Sequence, residues 1–337
     1  MARQHANIPV FIPGEGCRFQ CVFCNQSRIS GHSVHPGRDE VISIVERHLK
    51  TLPVPECKIE IAFFGGNFTG LPHTRQKILL DTAKSYVTSG KVSGIRLSTR
   101  PDYITPEILS WLAQYPVKTI ELGIQSLDEE VLMQSGRGHT AKESREAARQ
   151  VKQAGLGLIL QMMTGLPGDT DEKSIMTAKE IIRLGADGTR IYPCLVIRDT
   201  PLADAFAKGE YKPCTLEESA RLSARLIPVF EEAGVSILRA GLHPSDELIS
   251  GNALLAGPFH PAFREIAETF IWEELLKEKT HNIPHRKGIC LEVAPGREAR
   301  AAGYKGYNRK WLEAAYGVLR IRQNPNLKGR ECNLCDC

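Results

Sequence analysis

The segment Gly14-Glu15-Gly16-Cys17-Arg18-Phe19-Gln20-Cys21-Val22-Phe23-Cys24-Asn25 brings three thiols together on a short loop bracketed by glycines. Iron–sulfur clusters are held by thiolates, and a C-x3-C-x2-C run can wrap three corners of a [4Fe–4S] cubane through Cys17, Cys21 and Cys24. Three protein ligands leave one iron open, able to chelate the amino and carboxylate groups of a methionine moiety. Reduction through that iron would cleave an adjacent sulfonium bond and release a carbon radical, chemistry that the polypeptide positions rather than performs. Other readings of the same residues stay open. A structural zinc ion takes four protein ligands, and no fourth completes this loop locally, His32 and His35 lying off the usual finger spacing. Cys21-x-x-Cys24 is spaced as a thiol–disulfide pair, which leaves Cys17 unexplained. Three core cysteines with no ligand are the plainest case.

A second thiol group ends the chain as Cys332-x-x-Cys335-x-Cys337. It is a candidate second metal site, for an auxiliary iron–sulfur cluster or a zinc ion with Cys290 as an outside ligand. An unligated tail explains it equally, because disorder concentrates at chain ends. The remaining cysteines, Cys57, Cys194, Cys214 and Cys290, are scattered singles whose default role is burial. From Ala301 onward seven Lys or Arg face three acidic residues. Tyr304, Tyr307, Trp311 and Tyr316 are interleaved among them, a pattern that suits RNA through cations for phosphate and rings for stacking. A helix over 311–319 with its aromatics packed inward accounts for the same residues.

These groups need a scaffold, and the chain has the means to build one. It has 337 residues, 42% of them apolar, with a net charge of only +4, too small to declare or exclude a nucleic-acid partner. The opening residues are polar, and no run approaches the ~20 apolar residues that span a bilayer. A cytoplasmic protein without membrane association is expected. Its ten cysteines then point to metal or redox chemistry rather than a disulfide framework. Apolar β-type runs begin near Val10, Ile59, Ile95, Thr119, Leu156 and Thr189. They alternate with helical periodicity over 39–49, 75–88, 106–113, 141–154 and 172–184. That rhythm predicts βαβ crossovers and a parallel sheet, hence an α/β fold as a partial (β/α)6 parallel barrel. A helix near 217–233 and a strand near 235–238 follow, and the rhythm breaks beyond Gly241. The expected division is 1–240 as the barrel domain and 241–337 as a C-terminal, substrate-side domain with the cysteine-containing basic tail.

The cysteine loop, with Phe23 before its last Cys, resembles the signature of the radical S-adenosylmethionine (SAM) superfamily, and further motifs follow in order. Phe63-Phe64-Gly65-Gly66-Asn67-Phe68 falls where that superfamily carries its Gly-Gly turn. Thr99-Arg100-Pro101-Asp102-Tyr103 is similar to a stretch of the Elongator catalytic subunit's radical SAM domain. Glu121–Leu127, Gly136-Arg137-Gly138-His139-Thr140 and Gly165-Leu166-Pro167-Gly168-Asp169-Thr170 resemble both that family and the oxygen-independent coproporphyrinogen III oxidases. The resemblance covers about residues 8–210.

The resemblance implies a [4Fe–4S] cluster, SAM as cofactor, and a reductant of the flavodoxin or ferredoxin class. Its motifs fall at the C-terminal ends of predicted strands, the rim where parallel barrels carry their active sites. Gly65, Gly66 and Asn67 would let backbone carbonyls meet the SAM ammonium group. Ser98, which stands where relatives usually carry Glu, and Arg100 would reach its carboxylate or ribose, and Gln125 the ribose hydroxyls. Arg137 would pair with the carboxylate. Each also has a structural reading: a strand-ending turn, an Arg100–Asp102 loop pair, a helix cap, an exposed loop arginine. The turn 165–170 suits helix initiation and adenine binding alike, with Asp169 or Thr170 as the cap. Tyr192 and Leu195 suit an adenine pocket or core packing, and Gln161 and Met163 suit the core. The expected function is reductive SAM cleavage for RNA modification, specifically of tRNA. A small metabolite or tetrapyrrole as substrate, and a non-catalytic metal- or RNA-binding protein, are the alternatives.

Overall fold

A computed structural model describes residues 4–31, 35–52, 57–281 and 288–336. Contacts divide the chain into two compact units, residues 1–214 with 229–259, and residues 215–228 with 260–337.

The first unit begins with β1 (Gln4–Phe11), α1 (Gln26–Ser30), α2 (Arg38–Leu49), β2 (Cys57–Phe64), α3 (His73–Thr88), β3 (Gly94–Thr99), α4 (Pro106–Leu112) and β4 (Val117–Gln125). It continues through α5 (Glu129–Gln134), α6 (Ala141–Gln153), β5 (Gly157–Thr164), α7 (Asp171–Arg183), β6 (Gly188–Pro193), β7 (Val196–Ile197) and α8 (Pro201–Ala207). After α9 (Leu216–Glu232), whose residues divide between the units after Pro228, come β8 (Ser236–Ala240), α10 (Asp246–Ile249) and β9 (Leu254–Ala256). Seven strands pair in parallel in the order β1-β2-β3-β4-β5-β6-β8, an open half-barrel. The six expected strands are present, and the strand expected near 235–238 joins them as β8, the seventh, at the edge. β1 starts earlier than its apolar run suggests because its polar residues face partners across the sheet: His5 sits 2.9 Å from Glu60.

Helices begin where the local chemistry says they should. Thr105, Asp128, Thr140 and Thr170 cap α4, α5, α6 and α7, each accepting a backbone N–H from the first turn, and Glu143 closes a capping box with Thr140. The apolar core lies in the strands, with Ile8, Ile59, Ile61, Ile95, Leu97, Ile120, Leu122, Leu158 and Leu160 almost wholly buried. Polar residues at alternate positions build a buried chain of ion pairs across the sheet. Glu60 holds Arg96 at 2.7 Å, Arg96 holds Glu121 at 2.8 Å, and Glu121 holds Arg190 at 2.9 Å and Gln161 at 2.9 Å.

The second unit contains α11 (Phe263–Thr280), β10 (Ile289–Val293), α12 (Glu298–Ala302), α13 (Tyr307–Tyr316), β11 (Leu319–Gln323) and β12 (Cys332–Asp336). β10 lies between β11, parallel to it, and β12, antiparallel to it. Its core gathers Trp272, Leu276, Leu291, Val293, Leu312 and Leu319. The helix expected over 311–319 ends instead at Tyr316, because Gly317 turns the chain with φ +84° and β11 begins two residues later. Of the aromatics read as stacking platforms, Tyr316 is buried and Trp311 packs on this core, while Tyr304 and Tyr307 lie edge-on to His260 and Phe270.

Candidate functional site

Parallel strands end on one side of a sheet, so the motifs after β2, β3, β4 and β5 emerge on a shared edge. The cysteine loop follows β1 and is tied to that edge. Gly66 lies so close to it that a side chain there would strike the Ile12 and Glu15 carbonyls, and Gly65 turns with φ +86°. This glycine pair is therefore demanded by the approach of the cysteine loop itself.

Asn67, wholly buried, is the junction. Its Nδ2 donates to the Gly16 carbonyl at 2.7 Å, and its Oδ1 accepts from Thr99 Oγ1 at 2.5 Å and from the Arg100 N–H at 3.1 Å. Its own N–H donates to the Glu15 carbonyl at 2.9 Å. The Asn67 side-chain amide joins the loop to β3. Glu15 is gripped in turn by Arg75 at 3.3 Å and by His35 at 2.6 Å, while His32 lies outside the described residues. Further along, Val22 N–H donates to the Ser135 carbonyl at 3.1 Å, and its carbonyl accepts from Leu202 N–H at 2.8 Å.

Two guanidinium groups flank the central thiol. Arg137 Nη1 lies 3.0 Å from Cys21 Sγ and Arg100 Nη1 lies 4.0 Å from it. Arg137 also donates through Nη2 to the Gly123 carbonyl at 2.5 Å, and Arg100 forks onto Asp102 at 2.9 and 3.1 Å. The Arg100–Asp102 loop pair is thus present, and Arg137 is turned toward the cysteines. Cys21 is buried, Cys24 half-buried and Cys17 exposed. Burial first, then the neighbouring Cys21 and Cys17, pushes the Cys24 thiol up to about 12, and burial likewise raises Cys17. Among the described residues no three or more Cys, His, Asp or Glu side chains gather tightly enough for a single metal ion. A cubane presents its ligands at separate corners.

The strand ends carry polar atoms that the protein leaves unsatisfied. Ser98 Oγ on β3, Gln125 Oε1 at the end of β4 and Thr164 Oγ1 at the end of β5 are buried without a hydrogen-bond partner, as is Arg137 Nε. Gln125 adopts φ +64°, a left-handed backbone uncommon outside glycine, at a register shift between β4 and β5. Strain of this kind persists where the surroundings over-determine a position. Neither Thr164 nor the strain at Gln125 is visible in the sequence. His139 is buried too, and burial first, then Arg137 and Arg100, holds its imidazole near 3 and therefore neutral.

The turn at 165–170 serves structure in full: Thr170 caps α7 and Asp169 accepts from the Gly165 N–H and Ser174 Oγ, both at 2.8 Å. It also walls a cavity of about 450 Å³ with Val22, Gln134, Tyr211, Lys212 and Cys214, a lining that includes none of Ser98, Arg100, Gln125 or Arg137. Leu195 belongs to an apolar cluster with Ile197 and Leu248, Met163 packs beside Cys21 and Cys24, and Gln161 is engaged by Glu121.

Of the tail cysteines, Cys332 and Cys335 lie on one strand. Cys332 and Cys335, three residues apart on β12, point to opposite faces of their sheet because side chains alternate along a strand. Cys332 is buried in the second unit's core, and Cys335 stands across from Cys290; Cys337 lies outside the described residues.

Comparison with known proteins agrees with this geometry. The radical SAM superfamily model matches residues 11–181, and the radical SAM C-terminal domain model matches residues 186–273. Elongator complex protein 3 of Homo sapiens is 32% identical over 199 residues, covering 53% of this chain and 36% of the relative. The tRNA uridine(34) acetyltransferase of Methanocaldococcus infernus is 31% identical over 185 residues, covering 49% of this chain and 35% of the relative. The chain thus spans about a third of the length of these relatives. The solved structure of the archaeal Methanocaldococcus infernus Elp3 with an N-terminal deletion shares the fold, with a TM-score of 0.63 at 22% identity over 82% of this chain and 64% of that one. Among the described residues no helix is long and apolar enough to cross a membrane. Superfamily membership implies a [4Fe–4S] cluster and SAM. With the superfamily model covering half the chain and the thiol loop seated on the sheet edge it matches, the chain belongs to the radical SAM superfamily of enzymes.

Proposed function

We propose that Cys17, Cys21 and Cys24 hold a [4Fe–4S] cluster, that SAM lies along the C-terminal strand edge, and that the substrate is an RNA, specifically tRNA. One observation carries the cofactor reading. A loop of three thiols, with two guanidinium groups on its central sulfur, is bolted through Asn67 to a strand edge bearing the unpaired Ser98 Oγ, Gln125 Oε1 and Thr164 Oγ1. Leaving a buried polar atom unmade costs about 1–3 kcal/mol. Three such atoms on one edge are what a hydroxyl-, amine- and carboxylate-bearing ligand would satisfy. When bound, the cluster and SAM supply reductive cleavage of the sulfonium bond to methionine and a 5′-deoxyadenosyl radical.

The chain's own residues do the rest. Asn67 and Glu15 fix the loop, and Arg100 and Arg137 offset the negative charge that thiolates and a reduced cluster concentrate at Cys21. The side chains of Ser98 and Gln125 offer hydroxyl and amide groups to the ribose or amino-acid end of SAM, and Gly66 offers its backbone. A donor of the flavodoxin or ferredoxin class supplies the electron. The tRNA assignment rests on likeness to Elongator complex protein 3 and the tRNA uridine(34) acetyltransferase.

Anaerobic reconstitution, followed by dithionite and SAM, tests the cofactor reading. Release of 5′-deoxyadenosine is expected. Intact SAM beside a reduced cluster would leave a non-catalytic metal-binding protein. Substrate is tested separately: affinity for bulk tRNA falls steeply with salt through counterion release, and salt-insensitive or absent binding removes RNA. Nucleoside profiles after deletion of the gene then name the modified position.

A further inference from the structure

The second unit carries a thiol pair outside the cysteine loop. The register of β10 against β12 sets Cys290 directly opposite Cys335, one step along from Leu291 opposite Leu334. Ile289, Leu291 and Val293 supply the core face, so Cys290 and Cys335 share the other face of the sheet. Residues opposite one another on antiparallel strands have Cα atoms about 4.5–5.5 Å apart. That falls inside the roughly 4.4–6.8 Å a disulfide spans. Cys335 Sγ already reaches to 3.4 Å of the Cys290 carbonyl.

A cation stands over the pair. Arg322 Nη2 lies 3.6 Å from Cys335 Sγ and is anchored by Glu292 at 2.7 Å. Glu292 first, then Cys290 and Cys335, raises the Arg322 guanidinium above its ordinary value. A fixed guanidinium donates to the sulfur that attacks in disulfide exchange and repels a divalent metal ion from the same spot. Cys335 is half-buried and Cys290 buried, which orders the pair: an incoming reagent meets Cys335 first, and Cys290 resolves.

We propose that Cys290 and Cys335 form a reversible cross-strand disulfide, a redox modification site that staples β12 to β10 independently of the cluster. With a small disulfide such as oxidised glutathione as the oxidant, the Cys335 thiolate attacks one sulfur, breaking its S–S bond and releasing one glutathione thiolate. The Cys290 thiolate then attacks the Cys335 sulfur and displaces the second glutathione. Two protein thiols are oxidised, one small disulfide is reduced to two thiols, and the two protons pass from the cysteines to the leaving thiolates.

The test uses the full chain, cluster loaded, treated anaerobically with oxidised glutathione, alkylated and digested for mass spectrometry while cluster absorbance is followed. The expected result is a Cys290–Cys335 cross-linked peptide, with cluster absorbance retained and both thiols restored by dithiothreitol. C290S should stop at a glutathione adduct on Cys335, C335S should leave Cys290 unreacted, and R322Q, which removes the donor 3.6 Å from Cys335 Sγ, should slow the reaction. A stable glutathione adduct on Cys335 in the unsubstituted chain, Cys335 joined to any other cysteine, no reaction at either thiol, or a zinc ion that protects both from alkylation would each overturn it.

Discussion

Two groups of cysteines, both conspicuous in the sequence, sit in backbones of opposite character. Cys17, Cys21 and Cys24 occupy an irregular loop at the edge of a parallel sheet, where strand ends, Asn67 and two arginines converge. Cys332 and Cys335 occupy a strand, where alternation sends one into the core and the other to the opposite face. A loop can turn several thiols toward one point because its dihedrals are not tied to a repeat. A strand can bring a thiol only to its cross-strand neighbour. Thiol density alone therefore says little about metal binding. The backbone beneath it decides whether three sulfurs can face one cluster or two can face each other.

The sharpest way to break that contrast is to remove one sulfur from each group. Cys21→Ala should abolish cluster retention and 5′-deoxyadenosine formation, measured as iron content and product yield. Cys332→Ala should leave both intact and cost about 1 kcal/mol of stability from the lost core packing, read by denaturant unfolding. Next in size is Asn67→Ala, which strands the Gly16 carbonyl and the Arg100 N–H in a buried place. At about 1–3 kcal/mol for each unmet group it should lower both thermal stability and iron retention, while leaving the second unit's thiol chemistry untouched.

Acid should weaken the first unit. In the first unit, burial alone would raise the Glu60 carboxyl, but the His5 hydrogen bond and the Arg96 guanidinium hold it at about 2. His139 is held near 3 against an ordinary 6.5. A depressed imidazole contributes stability above 6.5 that is lost as pH falls toward 3, because the unfolded chain takes up a proton the folded chain refuses. Glu60 adds a further loss between its ordinary 4.5 and about 2. The slope is at most about 1.4 kcal/mol per pH unit for each group. Unfolding midpoints followed from pH 7 to 4 should show it, and His139→Leu should flatten the limb above pH 4.5. A limb unchanged in that variant would break the assignment.

Smaller effects refine the cluster side. Removing the cation 3.0 Å from Cys21 with Arg137→Gln should make the cluster harder to reduce, by about 60 mV for a one-electron couple if the interaction is worth one tenfold. Spectroelectrochemistry reads the shift. Gln125→Gly should relieve a left-handed backbone and stabilise the fold by about 1 kcal/mol, while weakening SAM binding through loss of the amide. Stabilisation with unchanged SAM affinity would return Gln125 to a structural role.

Much was legible from residue order. The C-x3-C-x2-C loop, the alternation of apolar runs with helical periods, and the glycine-marked turns at 65–66 and 165–168 are local patterns, and local patterns determine strands, helices and their caps. Register, and what a side chain meets, are not local. Asn67 was legible only as part of a Gly-Gly turn; that its side chain bolts the cysteine loop to β3 was not, because only the folded sheet sets Gly16, Thr99 and Arg100 around it. Glu60, Arg96, Glu121 and Arg190 stood in apolar strands as isolated charges, and pairing across the sheet turned them into a continuous buried chain. The terminal cysteines show the same limit: their spacing was plain, but a strand's two-residue repeat and the register against β10 decided which sulfurs could meet.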